Sequence, residues 1–261
     1  MNAHQLVAGQ AHAARTVPIT YFSDVLCVWA YIAQLRVDEV QAKFGGQVRF
    51  ETRFCSVFGD TARKIATSWK GEYAAFNAHL RHSARPFHEI RLNPDLWLTV
   101  RPASSTGPHL VLKAVQLAEA AGDCAPGAAA AATWAMRRAF FEEGLDIASW
   151  DVQREVARRA GVDPVGLEPL VRDGPAFAAL AADYREAEAM GVQGSPSFVL
   201  NDGRQKLYGN VGYRVIAANI SELLRAPVAD QASWRRRAGA EPAIRAAPLV
   251  ASGFSNSAQA R

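Results

Sequence analysis

The sequence predicts an α/β protein in which one mixed sheet of about four strands carries a large helical insertion. Residues 17–54 contain two short apolar runs that flank an amphipathic segment. Residues 60–173 show helical periodicity almost throughout. Residues 174–225 then offer a helix, two short strands and a last helix. A period near two residues favours strands, and a period near 3.6 residues favours helices, so these three blocks predict the fold class.

The first block predicts a β-α-β unit. Residues 17–22 are β-branched and aromatic, which is typical of a buried strand. Residues 28–44 predict a helix, and Gly45-Gly46 supplies its end. Residues 47–54 alternate apolar and charged side chains and predict a second strand. A strand-helix-strand connection of this kind favours a parallel pair.

In the later blocks, capping residues indicate where helices begin. Ser149 and Asp163 are predicted helix N-caps, with Pro164 at the first helical position. Residues 92–108 hold three prolines and predict an irregular connection. The predicted parts of the chain are a disordered lead-in (1–15), a discontinuous sheet domain (16–58 and 174–225), a helical insertion (59–173) and a disordered tail (226–261).

Composition excludes several classes of protein. The net charge of +4 over 261 residues is too small to support a nucleic-acid partner. Three cysteines do not form a secreted disulfide framework. No apolar run reaches the roughly 20 residues that span a bilayer, and the N-terminus lacks the pattern of a signal peptide. We therefore expect a cytoplasmic protein that uses neither a membrane nor a metal.

Cys27 is the first candidate catalytic residue, because it follows the first strand and precedes the first helix. Unpaired amides and the positive dipole end at a helix N-terminus stabilise an anion, so we expect a thiolate with a depressed pKa there. Trp29 would add an aromatic rim for a substrate. The alternative interpretation of Cys27 is a small buried apolar residue.

Gly194, Ser195 and Pro196 are the candidate substrate-binding residues. A proline between a glycine-containing loop and a strand suits a tight turn with a cis peptide bond. That geometry would leave the backbone of Ser195 open to an extended ligand. The alternative is a trans proline that begins an edge strand.

A strand-end thiol, a helical insertion and this proline loop before a hairpin and final helix together resemble the DsbA family. Within it, the chain is most similar to the cytoplasmic branch with polyketide-cluster disulfide oxidoreductases and 2-hydroxychromene-2-carboxylate isomerases. The resemblance covers about residues 17–225 and implies a thioredoxin-like fold with Cys27 as nucleophile and Pro196 as the facing cis-proline. It implies no tightly bound cofactor, with glutathione as a co-substrate. It also implies a small thiol or a protein or peptide disulfide as partner, and it is compatible with a homodimer.

The chain departs from the family's Cys-Pro-Trp-Cys motif, because it has Cys27-Val28-Trp29-Ala30. A dithiol releases its mixed disulfide through the second sulfur, which Ala30 lacks, so an outside thiol such as glutathione would have to act. The first hypothesis is therefore a thiol-dependent oxidoreductase acting through one thiol. The second is a glutathione-dependent isomerase or transferase on a small aromatic substrate, with Cys27 in the place of a serine. The third is a redox-inactive module that binds a protein partner.

The other cysteines and the histidines give weaker signals. Cys55 closes the second strand and could resolve a mixed disulfide only if the two Cα atoms lie within about 7 Å. The favoured interpretation of Cys55 is a small residue at a strand end. Cys124 lies in a predicted loop and has no expected role. His79 and His82 stand three residues apart among arginines, which indicates a solvated basic face rather than a metal site.

Overall fold

The computed structural model of the protein describes residues 16–225. The predictions for residues 1–15 and 226–261 lie outside the described residues. None of the helices in the described part is long and apolar enough to cross a membrane. The elements in chain order are β1 (Val17–Ser23), α1 (Val28–Phe44), β2 (Val48–Phe54), α2 (Thr61–Trp69), α3 (Tyr73–Ala84), α4 (Thr106–Ala121), α5 (Ala128–Phe141), α6 (Trp150–Arg159), α7 (Pro164–Arg172), α8 (Pro175–Ala189), β3 (Ser197–Leu200), β4 (Gln205–Tyr208) and α9 (Tyr213–Arg225).

The strands form one mixed sheet with the order β2-β1-β3-β4. β1 and β2 are parallel, and β3 is antiparallel to both β1 and β4. The turn between β3 and β4 contains Asn201 and Asp202 at positive φ, followed by Gly203. Asparagine and aspartate tolerate this left-handed backbone better than other side chains, which explains the tight hairpin. The predicted fold class, an α/β thioredoxin-like fold with a helical insertion, is confirmed.

Helices cover both faces of the sheet. On one face, α1 and α9 pack against β1, and the apolar residues buried there include Ile19, Tyr21, Val37, Val40, Ile216 and Ile220. On the other face, Ala187 of α8 joins Phe22, Cys55 and Val199 in a smaller cluster. Successive strand residues point to opposite faces, so β1 supplies Tyr21 to one layer and Phe22 to the other. This burial on both sides explains why residues 17–22 are apolar without clear alternation.

The helices between β2 and α8 share a core around Trp97, which is fully buried. The ring centroids of Phe58, Phe76 and Phe140 lie 5.2–5.5 Å from the ring centroid of Trp97. Asn77 fixes the irregular connection that carries Trp97, because its amide donates to the Leu96 carbonyl at 2.7 Å. The predicted irregular connection is present, although α4 already begins at Thr106. The boundaries of a separate insertion domain at 59–173 stay a prediction.

Two of the predicted helix caps differ in their chemistry. Asp163 precedes α7, and its carboxylate accepts the amide of Val165, as expected of an N-cap. Ser149 precedes α6, but its hydroxyl makes no capping hydrogen bond. Ser149 is therefore the N-cap residue of α6, as predicted, but without a hydrogen bond from its side chain.

A buried ion pair ties the helical segment to the sheet. Lys113 of α4 donates to Asp183 of α8 at 3.0 Å. The second oxygen of Asp183 accepts the backbone amide of Phe54 in β2, also at 3.0 Å. Both charged side chains are nearly inaccessible to solvent. Three elements therefore meet at one carboxylate, which also lies 3.5 Å from the Nε atom of Arg53. Removal of the Asp183 charge would leave Lys113 buried without its carboxylate.

We predict that Asp183→Asn lowers the free energy of unfolding by about 3–5 kcal/mol, because Lys113 then stays buried without a carboxylate. Urea denaturation followed by circular dichroism measures this loss. Asp173→Asn is the matched control, since Asp173 pairs with Arg172 at an exposed site and its loss should not be measurable. Equal losses in the two variants would contradict the structural role of the buried pair.

Candidate active site

Cys27 lies at the junction of β1 and α1. β1 ends at Ser23, a tight turn follows, and Cys27 is the N-cap residue of α1. The turn is closed by the Cys27 amide, which donates to the Asp24 carbonyl at 3.1 Å. The Cys27 side chain is only 6% exposed. The sequence-predicted nucleophile therefore occupies the predicted junction, but it lies beneath the surface.

The structure brings Cys27 and Ser195 together, although they are 168 residues apart in the chain. β3 runs antiparallel to β1 with Phe22 opposite Ser197, so the start of β3 lies beside the end of β1. The peptide bond between Ser195 and Pro196 is cis. The Cys27 thiol donates to the Ser195 carbonyl at 3.2 Å. The sheet register is thus the reason why these two candidate residues meet.

The other two predicted binding residues flank this contact. Trp29 is partly exposed and packs against the core of the helical segment. Gly194 precedes Ser195, and the ring of Tyr208 in β4 lies directly against it. A Cβ at position 194 would stand 2.9 Å from the Tyr208 hydroxyl oxygen, so only glycine fits without movement of that ring. The roles of Trp29 and Gly194 in binding a substrate stay predictions.

Asp24 is the residue that the sequence interpretation missed. Its carboxylate is fully buried and accepts the amides of Leu26, Val57 and Phe58 at 2.8–2.9 Å. The hydroxyl of Ser105, at the start of α4, donates to the same carboxylate at 2.8 Å. One side chain therefore joins the turn before Cys27, the loop after β2 and the helical segment. No local pattern reveals this, because two of the three segments are distant in sequence.

His109 of α4 completes the buried polar group. Its ring stacks on Phe54 with centroids 4.5 Å apart, and its Nε2 accepts the amide of Val25 at 3.2 Å. Burial lowers the pKa of His109 to about 4, and the nearby Asp24 only partly opposes this. The imidazole is therefore neutral at pH 7. Its Nδ1 lies 3.3 Å from the Tyr184 hydroxyl.

The pKa of Cys27 differs from the expectation drawn from the helix N-terminus. Burial is the largest influence and raises the pKa of the thiol, and the negative charge of Asp24 raises it further. The Ser195 hydroxyl and the amides of Trp29 and Ala30 act in the opposite direction through hydrogen bonds to the sulfur. The predicted helix effect exists, but desolvation of the charged form exceeds it. The expectation of a depressed pKa for Cys27 is therefore wrong.

All three cysteines are free. Cys55 follows β2 and is buried against the second face of the sheet, where burial also raises the pKa of its thiol. Cys124 lies between α4 and α5 and is partly exposed, as the sequence predicts for a loop. Ala30 is fully buried in the first turn of α1. His79 contacts Trp69 and Ser83 on an exposed face, and residues 16–225 hold no group of three side chains suited to a metal.

The Cys27 thiol at the end of β1 faces the residue before a cis-proline at the start of β3, in a four-stranded mixed sheet. This arrangement is that of a thioredoxin-fold protein. The sequence matches the DSBA-like thioredoxin domain over residues 18–221, and the chain belongs to this family. A search of curated proteins finds no match.

Solved structures are similar to it in fold. One is the cytosolic disulfide reductase DsbM from Pseudomonas aeruginosa, with a TM-score of 0.60 and 22% identity over 79% of this chain and 99% of that one. Another structure of DsbM, with GSH, has a TM-score of 0.59 and 20% identity over 80% of this chain and 100% of that one. A 2-hydroxychromene-2-carboxylate isomerase has a TM-score of 0.59 and 17% identity over 80% of this chain and 96% of that one.

We predict opposite shifts in the pKa of the Cys27 thiol for two variants. Asp24→Asn removes a negative charge and lowers this pKa, whereas Ser195→Ala removes a hydrogen bond to the sulfur and raises it. The pH dependence of Cys27 alkylation, read by mass spectrometry, measures both. Asp38→Asn and Ser197→Ala are the controls, because one is exposed and the other donates its hydroxyl to the Gly194 carbonyl instead. Shifts of the same sign would contradict this electrostatic account.

Proposed function

We propose that the protein is a thiol-dependent oxidoreductase that acts through the single thiol of Cys27, in thiol-disulfide or glutathione-linked exchange. The observation that supports this most directly is the contact between the Cys27 sulfur and the Ser195 carbonyl at the helix N-terminus. Membership of the DSBA-like family supports the same chemistry. The similarity to a reductase named as cytosolic, one structure of which contains GSH, supports a cytoplasmic protein that uses glutathione.

The exchange begins when Cys27 loses its proton and the thiolate attacks one sulfur of a substrate disulfide. A bond forms between Cys27 and that sulfur, the substrate S–S bond breaks, and the other sulfur leaves as a thiolate. Loss of the thiol hydrogen also frees the Ser195 carbonyl, which can then accept an amide from an extended substrate. Because Ala30 offers no second sulfur, the thiolate of a glutathione molecule attacks the substrate sulfur of the mixed disulfide. A glutathione–substrate disulfide forms, the bond to Cys27 breaks, and Cys27 leaves as a thiolate that takes up a proton.

Burial keeps the Cys27 thiol protonated, and this protonation affects its reactivity with oxidants. A buried thiol with a raised pKa reacts slowly with non-specific oxidants, since the thiolate is the nucleophile. Substrate binding beside Trp29 and Ser195 would bring the reacting sulfur within reach of the amides at the start of α1. We further propose a small thiol or a peptide or protein disulfide as substrate, no tightly bound cofactor, no nucleic-acid or membrane partner, and a homodimer as the assembly to test.

The test is a mass-spectrometric search for a glutathione adduct after incubation with oxidised glutathione. We expect one adduct at Cys27 that excess thiol releases and that Cys27→Ser abolishes. Cys55→Ser and Cys124→Ser are matched controls and should retain it, because neither residue contacts Ser195. An adduct that forms only at Cys55 or Cys124, or none at all, would rule out exchange through Cys27.

A second candidate function is a glutathione-dependent isomerase or transferase acting on a small aromatic substrate. It is favoured by the protonated state of Cys27, whose S–H group is a hydrogen-bond donor in the structure. Such a donor would hold the thiolate of a bound glutathione, while glutathione performs the chemistry. The similarity to a 2-hydroxychromene-2-carboxylate isomerase supports this alternative.

Glutathione binding to Cys27→Ser separates the two functions. For the isomerase or transferase we expect saturable binding by titration calorimetry in this variant, since the serine hydroxyl also donates a hydrogen bond. Cys27→Ala provides the comparison and should bind more weakly. Absence of binding to Cys27→Ser would exclude the second candidate.

A further inference from the structure

A cavity adjoins the candidate active site. It has a volume of about 480 Å³ and lies between the loop after β2, α2, α8 and the loop before Ser195. Its wall includes Cys55, Lys64, Tyr184 and Gly194. Gly194 precedes Ser195, whose carbonyl contacts the Cys27 sulfur, and Cys55 in the wall is close enough to Cys27 for the two thiols to interact electrostatically. A substrate joined to Cys27 could extend into the cavity.

His109 sets the direction in which the Tyr184 hydroxyl, in the wall of this cavity, points its hydrogen. The Nε2 atom of His109 accepts the amide of Val25, and an amide cannot act as the acceptor in return. The neutral imidazole therefore carries its hydrogen on Nδ1, which donates to the Tyr184 oxygen at 3.3 Å. The hydrogen of the Tyr184 hydroxyl is then directed away from His109 and can be donated to a different acceptor. Burial raises the pKa of Tyr184 to about 12, so the phenol keeps this hydrogen at neutral pH.

The groups around the Tyr184 oxygen are hydrogen-bond donors. The hydroxyls of Ser56 and Thr106 also lie within hydrogen-bond reach of it. Ser56 lines the cavity with Tyr184. Three hydroxyls and one imidazole N–H thus meet at the Tyr184 oxygen. The Asp24 carboxylate is close enough to act on Tyr184 electrostatically, but it already accepts hydrogen bonds from three backbone amides and Ser105. A ligand with several lone pairs would complement the donors on the cavity wall.

Lys64 of α2 adds a positive charge to the same cavity. Its side chain is partly buried, and within residues 16–225 no carboxylate forms an ion pair with it. Glu188 also lines the cavity, but it is exposed at the rim. A partly buried cation without a counter-ion, beside a cluster of donors, favours an anionic ligand.

We propose that this cavity binds a carboxylate of the thiol or disulfide substrate, with Lys64 and the Tyr184 hydroxyl as binding residues. His109 is a positioning residue, because it acts on the ligand only through the hydroxyl of Tyr184. This inference rests on the proposed exchange at Cys27 and names the chemical class of its substrate. Carboxylate-bearing disulfides would then react with Cys27 faster than uncharged ones of similar intrinsic reactivity.

The test compares two coloured disulfide probes, the anionic dithiobis(nitrobenzoate) and the uncharged dithiodipyridine. The protein carries Cys55→Ser and Cys124→Ser, so that Cys27 is the reacting thiol. The measured quantity is the ratio of the rate constants for the anionic and the uncharged probe. We expect Tyr184→Phe and Lys64→Gln each to lower this ratio about tenfold, the size of a lost hydrogen bond to a charged group.

Matched controls are Tyr73→Phe and Lys43→Gln, which change the same side-chain types outside the cavity and should leave the ratio unaltered. His109→Phe keeps a ring against Phe54 and should lower the ratio as Tyr184→Phe does. In the double variant with Tyr184→Phe we expect no further fall, because His109 acts through Tyr184. If His109→Phe does not fold, Tyr184→Phe and Lys64→Gln still decide the proposal.

The outcomes distinguish failure of the carboxylate subsite from failure of the proposed exchange at Cys27. A ratio unaltered by both Tyr184→Phe and Lys64→Gln overturns the carboxylate subsite, and so does an equal slowing of both probes. Failure of Cys27 to react with either probe in the parent protein overturns the proposed exchange itself. A lowered ratio in the cavity variants, with unaltered controls, supports both.

Discussion

The site depends on one buried carboxylate. Asp24 accepts hydrogen bonds from the turn that leads to Cys27, from the loop after β2 and from Ser105 at the start of α4. Each of these donors would otherwise be buried without a partner, which costs more than the bond itself gains. The backbone amide of Asp24 also donates to the Ser195 hydroxyl at 2.9 Å. Asp24 therefore fastens together the thiol turn, the proline loop and the helical segment, which the sheet register has already brought close to one another.

The same carboxylate sets the electrostatics of the thiol. A negative charge near Cys27 opposes the thiolate, whereas the Ser195 hydroxyl and the first amides of α1 favour it. Asp24 thus holds the site together and also restrains its reactivity. Cys27 lies on the protonated side of this balance because burial is the largest contribution. A ligand that brings its own donors or positive charge would shift the balance towards exchange.

The sequence predicts the parts of the site that depend on local structure. The strand-to-helix junction locates Cys27, and the glycine and proline before β3 locate Ser195. Both predictions use local signals, namely hydrophobic periodicity and turn-forming residues. The meeting of these residues follows once β3 is assigned to a position beside β1. Asp24 and His109 could not be assigned in this way, because their partners come from packing between distant elements. The pKa of Cys27 was mispredicted for a related reason, since the helix rule is local and burial is not.

The pairing of β3 with β1 also has a consequence during synthesis. Cys27 leaves the ribosome long before Ser195, which follows it by 168 residues, roughly 10 to 30 s later at ordinary rates of translation. Until β3 is made, β1 lacks its antiparallel neighbour and the thiol lacks its covering carbonyl. The nascent chain therefore carries an exposed cysteine that the finished protein hides.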